Sequence, residues 1–282
     1  MQRAPIDGIE LEYEFRGTGE PVVLIHAGIC AGFFRPLIEQ RALTSRYTVL
    51  RYHRSGYAGS DRLPNAVSLA QQAEHCRTLM RHLGIERAHV VGHSSSASMA
   101  LQLALDTPNA VQSLALLDPA RPAVPSAVHM QMVNAVVEPA LERYSAGDKP
   151  GAVDTWMRGV CGPDYRAALE QALPNAFDQA VADADTFFGQ ELPAVSQWTF
   201  GQDEAARIAQ PALIVTGENS IATFRERRDL LLAWLPNVEA FELPAATHLL
   251  HVQNPGAMAN ALAAFFSRHP LPASPGPLAL GQ

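Results

Sequence analysis

Apolar and polar positions along the chain follow two periods in turn. Short runs that alternate with a period of two, or are apolar throughout, are separated by longer stretches with a period near 3.6, the order expected of strands joined by helices. Residues 9–15 alternate apolar with charged side chains, which suits a half-exposed edge strand. Residues 21–26 and Tyr47–Tyr52 are apolar or β-rich runs fit for a strand buried on both faces. Leu69, Ala73, Cys76, Met80 and Leu83 share one face of a predicted helix that Gly84 ends. Residues 113–118, 212–216 and Val238–Leu243 read as further strands, with a helix near 223–235 between the last two. Met258, Leu262, Phe265 and Phe266 line one side of a final amphipathic helix. Strand and helix in alternation predict an α/β class, with a mostly parallel central sheet flanked by helices.

The alternation breaks between residues 122 and 209. That stretch is helical in texture, interrupted by Pro and Gly, and rich in large side chains such as Met130, Met132, Trp156, Met157, Phe177, Phe187, Phe188, Trp198 and Phe200. An insertion of this size between two sheet strands is expected to form a helical lid over the carboxyl edge of the sheet, where α/β folds place ligands. Most of its aromatic and Met residues should pack as the lid's own core. A minority, Trp156 and Trp198 among them, should line an apolar substrate pocket. The expected organisation is a core of residues 1–121 and 210–269, a lid of 122–209, and a mobile tail of 270–282 rich in Pro and Gly.

One stretch carries candidate chemistry. Residues 89–98 read His-Val-Val-Gly-His-Ser-Ser-Ser-Ala-Ser, an apolar run entering a small-residue turn, and Met99 to Leu105 continue with helical character. The spacing Gly92-His93-Ser94-Ser95-Ser96 is that of a Gly-x-Ser-x-Gly elbow with Ser96 in place of the last glycine. Ser94 then sits at the apex of a sharp strand-to-helix turn, and the free N–H groups of the helix start can face a developing negative charge. A serine hydroxyl is a weak nucleophile at neutral pH, so a base must lie within hydrogen-bond reach.

Composition narrows the class. With 282 residues and 48% hydrophobic content the chain can bury a large single core. A net charge of −7 and a pI near 5.8 argue against a sequence-independent grip on nucleic acid. Three cysteines, Cys30, Cys76 and Cys161, are too few and too scattered for a disulfide framework or a metal cluster. The opening residues have no signal-peptide pattern, and no apolar run approaches the length of a membrane span. A cytoplasmic protein acting on a small molecule, without metal or organic cofactor and without a membrane partner, is the expectation. Oligomeric state is left open.

With these residues in hand, the chain resembles the α/β-hydrolase superfamily over residues 6–269. Leu24-Ile25-His26-Ala27-Gly28 is similar to the family's His-Gly segment after its third strand, with Ala27 in place of the glycine. Tyr52-His53-Arg54-Ser55-Gly56-Tyr57-Ala58-Gly59-Ser60 resembles its Asp-x-Arg-Gly-x-Gly-x-Ser turn, with His53 where Asp is usual. The elbow follows, and Ala246-Thr247-His248 precedes the last helix as the family's histidine does.

The resemblance implies a serine hydrolase that cleaves an ester or related acyl bond, with Ser94 as nucleophile and His248 as base. The family's usual acid position, three residues after Gly217, holds Ser220. Asp118, at the end of the strand after the elbow helix, is then favoured as the acid, and Glu218 is the alternative. The implied oxyanion donors are the backbone N–H of Ser95 and one from Gly28 or Ile29. His26, Cys30 and His251 are expected at the pocket wall, His26 and His93 also as supports, and Arg54 as a brace of its own turn. On the same triad, a hydroxynitrile-lyase-like lyase or a carbon–carbon-bond hydrolase is the alternative chemistry. A non-catalytic small-molecule binder is the third.

Overall fold

The computed structural model describes residues 1–272. Its strands are β1 Gln2–Ile6, β2 Ile9–Arg16, β3 Glu20–Ile25, β4 Tyr47–Tyr52, β5 Ala88–His93, β6 Val111–Leu117, β7 Ala212–Gly217 and β8 Val238–Leu243. They form one sheet in the order β1-β2-β4-β3-β5-β6-β7-β8. β1 and β2 pair antiparallel, β2 meets β4 antiparallel, and every pair from β4 to β8 is parallel. The central strands are buried on both faces, as their unbroken apolar runs require; β5 and β7 have no exposed position.

The edge differs from the sequence expectation. Residues 9–16 lie second in the sheet, and β1 takes the edge. Asp7 and Gly8 close the two-residue hairpin with φ of 48° and 86°, the pair of positive values that a type I′ turn demands. Pro5, which has no N–H to give to a neighbour, fits the outermost strand.

Helices Leu69–His82 and Ser95–Asp106 cover one face, sealing Leu79, Met80, Met99 and Leu103 against β-strand residues such as Val90 and Ile214. The last helix, Pro255–Arg268, covers the other with Met258, Leu262, Phe265 and Phe266. Between β6 and β7 the described chain has no strand and runs through successive helices, the longest Lys149–Cys161. This helical segment has a core of its own, with Met157, Tyr165, Phe177, Phe187 and Phe188 packed together and against Ile29 and Phe33 from the loop after β3.

Two five-residue π-helical stretches, Val133–Val137 and Phe187–Glu191, interrupt it. Of the tail expected to be mobile, residues 273–282 lie outside the described residues. Pro270 and Leu271 are tied to the fold by hydrogen bonds from Gln112 and to Glu20.

The strand order fixes where chemistry can gather. β5 lies between β3 and β6, and all three end at the same edge. Whatever follows β3, β5 and β6 therefore converges, and the loop after β8 need only cross the end of β7 to reach it.

Candidate active site

Ser94 holds φ 58° and ψ −119°, a conformation that costs a non-glycine residue roughly 1–3 kcal/mol. Its surroundings enforce it. The Ser94 N–H donates to Leu117 O at 2.9 Å, and its carbonyl accepts from Ala120 N at 3.0 Å. A Cβ on Gly92 would stand 2.3 Å from the Ser96 carbonyl, so only glycine lets strand and helix approach this closely. Ser96 is buried and its hydroxyl donates to the His26 carbonyl. Within the turn, Ser94 alone is partly exposed, which leaves its side chain facing open space.

His248 arrives from the loop after β8, and its Nδ1 lies 3.0 Å from Asp118 Oδ2. Asp118 is fully buried and its Oδ2 also accepts from the Ser220 hydroxyl at 2.6 Å. Burial pushes the Asp118 carboxyl up, to about 7, against the pull of that hydroxyl. Burial pushes His248 down, with the Arg227 cation adding to it, so its imidazole is neutral at neutral pH. The tautomer with hydrogen on Nδ1 matches the acceptor opposite. Phe224 stacks on the imidazole, centroids 4.0 Å apart and planes 6° from parallel. His93 Nε2 donates to the His248 carbonyl at 3.1 Å, fixing the loop from below. Glu218 is turned away: its carboxylate accepts from Ala245 N at 2.7 Å on the exposed side of β7.

The loop after β3 closes the other flank. Gly28 N–H donates to Ser95 Oγ at 3.3 Å, and a Cβ at Gly28 would collide with the Phe187 ring at 2.5 Å. Ile29 follows at φ 68°. His26 accepts the Arg54 N–H on Nε2 at 3.0 Å and donates from Nδ1 to Ala27 O, so its tautomer is fixed.

Arg54 spans further than its own turn. It donates to Gln72 at 2.6 Å and to Glu191 at 2.9 Å, in an ion pair whose two side chains are each 1% exposed. Glu191 also accepts from Tyr57 and, at 2.5 Å, from Ser95 Oγ. Alongside, Asp183 takes Arg62 and the Ala58 N–H, and Thr186 donates to the Gly56 carbonyl. Residues 183–191 are thus clamped to the turn after β4.

A cavity of about 440 Å³ opens over Ser94, with Gly28, Ile29, Ser95 and His248 in the same wall. Its remaining surface is mostly apolar, with Trp156, Met157, Phe187 and Phe188 contributing. Four residues expected on this wall do not line it. His26 is buried behind the loop after β3 by the bonds given above. Cys30 is likewise buried, its thiol pushed up to about 12 by that burial. His251 stacks on Phe34 at 4.3 Å, on the far side of His93. Trp198 stacks on Phe200 at 5.2 Å and donates from Nε1 to Gln102, which draws it onto the elbow helix. Glu191, Phe224 and Arg227 carry no site signal in the sequence, where Ser220 reads only as a missing acid.

The fold and the chain's relatives agree. Residues 21–255 match the family model described as alpha/beta hydrolase fold, so the chain belongs to that family. A putative carbamate hydrolase, RutD, of Klebsiella pneumoniae is 29% identical over 83% of this chain and 86% of that protein. The dihydrolipoyllysine-residue acetyltransferase component of the acetoin cleaving system of Cupriavidus necator is 37% identical over 42% of this chain; the match spans 32% of that longer protein. Among solved structures, a thermophilic esterase from Thermogutta terrifontis superposes with a TM-score of 0.80 at 20% identity, covering 96% of this chain and all of that one. The protein is a hydrolase of the α/β fold. Among the described residues, no helix is long and apolar enough to cross a membrane.

Proposed function

We propose that the protein is a serine hydrolase that cleaves a carboxylic ester or related acyl bond through an acyl-enzyme on Ser94. One observation carries this: a serine held at positive φ opens into the same cavity as a histidine whose far nitrogen is bound by a buried carboxylate. His248 takes the Ser94 proton as Oγ attacks the substrate carbonyl. The oxyanion that forms faces the Ser95 N–H and an N–H of the Gly28–Ile29 loop. Collapse breaks the acyl bond and His248 gives the proton to the leaving alcohol. Water, deprotonated by His248 in turn, then releases the acid. Asp118 holds the imidazole in its tautomer and stabilises the cation formed in each transition state. Residues 122–209 act as the lid and shape the acyl pocket. The carbamate named for the RutD relatives is opened by the same attack and falls within this class.

A panel of p-nitrophenyl esters of increasing chain length, run beside fluorophosphonate labelling, tests the reaction. Turnover with a single adduct on Ser94 is expected; no turnover and no adduct overturns it. On the same panel Trp156→Ala, which enlarges the cavity, should shift the preferred chain length upward more than it changes acetate hydrolysis. Trp198→Ala, off the cavity wall, should leave the preference where it was.

A further inference from the structure

One corner of this otherwise apolar cavity is cationic. Arg121, His129 and Arg227 all line it, and among its described lining residues the two arginines are the only side chains that carry a fixed charge. Arg227 is 6% exposed, yet among the described residues the one hydrogen bond its guanidinium makes is a weak contact of Nη2 with Met132 Sδ at 3.8 Å. Among the described residues no carboxylate comes within 4.0 Å of Arg227 or Arg121, although every other strongly buried arginine has one.

The two acidic groups whose charge reaches it, Asp118 and Glu226, do not bond to it. Asp118 Oδ2 is taken by His248 and Ser220, its buried Oδ1 has no hydrogen-bond partner among the described residues, and Glu226 accepts the Ser126 hydroxyl at 2.9 Å. His129 Nδ1, also buried, has no partner among the described residues either. A guanidinium withdrawn from water without an anion is costly, and its five donors suit a planar carboxylate held two-pronged. Burial, with Arg121 beside it, pulls the Arg227 pKa down to about 10, which still leaves it charged.

The placement relates this corner to the reacting atoms. Phe224, one helical turn before Arg227, is the ring stacked on His248, and the Arg227 guanidinium lies 5.6 Å from that ring's centroid. Arg227 and His248 therefore approach the same ring, and all three line the one cavity.

We propose that Arg227, with Arg121 beside it, binds a carboxylate of the substrate, so that the preferred substrates are esters or lactones that also carry a free carboxylate a short carbon chain from the scissile carbonyl. This rests on the hydrolase mechanism proposed for the same cavity. His129 closes the corner beside the two arginines.

The test is calorimetric binding to full-length Ser94→Ala, with monomethyl adipate as the anionic probe and dimethyl adipate as its neutral match. The monoester should bind tighter by about tenfold or more, the scale of a charged hydrogen-bonded pair. Adding Arg227→Met should remove that preference and leave dimethyl adipate within about twofold, while Arg227→Lys should keep part of it. Arg121→Met reads the same preference should Arg227→Met fail to fold, as a thermal melt would reveal. Equal binding of the two probes, binding of neither, or parallel loss of both in the arginine variants overturns the subsite. A retained monoester preference in a protein whose wild type turns over no ester would overturn the reaction and leave the subsite standing.

Discussion

Ser94→Ala abolishes ester turnover and leaves the fold standing. Loss of a nucleophilic serine removes the covalent route altogether, and kcat should fall by on the order of 10⁶ on the best ester of the panel. The cavity remains, so substrate still binds. Stability should scarcely change, because the Ser94 side chain is partly exposed and the turn is held by its backbone bonds to Leu117 and Ala120. A melting temperature within about 2 °C of wild type is expected for a surface-like change in a chain of this size. Steady-state kinetics and a thermal melt on one preparation decide it. Retention of even a tenth of the activity would show that another group attacks.

Asp118→Asn should lower kcat by on the order of 10⁴ with little change in KM, because an amide can hold His248 in the wrong tautomer and cannot stabilise its cation. Glu218→Gln, whose carboxylate is bonded to the Ala245 N–H away from the imidazole, should act within about twofold of wild type. The reverse ranking would move the acid to the end of β7. The pH profile carries the same information with a definite sign. Turnover needs the Asp118 carboxylate ionised and His248 neutral. Burial raises the carboxyl to about 7 and lowers the imidazole, so activity is full above neutrality and is lost as pH falls through the apparent pKa of the pair. An acid limb at the ordinary carboxylate value, near pH 4, would contradict a buried Asp118 in that role.

How far the sequence discloses this site depends on how local each signal is. The elbow is local: Gly92 and Ser96 are dictated by contacts within one strand and one helix, so the spacing alone exposes Ser94. Asp118 and His248 are joined across 130 positions, and only strand order decides between Asp118 and Glu218. Ser220, at first an absence, becomes legible once folded, since its hydroxyl donates to the carboxylate that stands one strand over. The edge strand hid behind Pro5, though Asp7-Gly8 between Ile6 and Ile9 marked its hairpin. Trp156 and Trp198 are alike as sequence, aromatic residues in a helical stretch. Which one meets the cavity is set by packing between helices far apart in the chain. Glu191 and Arg227 read as ordinary surface charges on helices, and nothing in their neighbours announces burial.

The clamp between residues 183–191 and the turn after β4 bears on how molecules come and go. A swing of the whole helical segment would leave Glu191 without its partners and Arg54 without a carboxylate, at about 3–5 kcal/mol, and would pull Ser95 away from its acceptor as well. Such an opening would also pull Phe187 away from the loop after β3 each time a product left. The stretch from Ala127–Met132 into Val133–Val137 carries no buried ion pair among the described residues, and it holds Met130 at 49% exposure. Movement at that end, over the cationic corner, would break none of these contacts. An anionic substrate would meet Arg121 and Arg227 on its way in, and an acid product released by hydrolysis would leave past the same two charges.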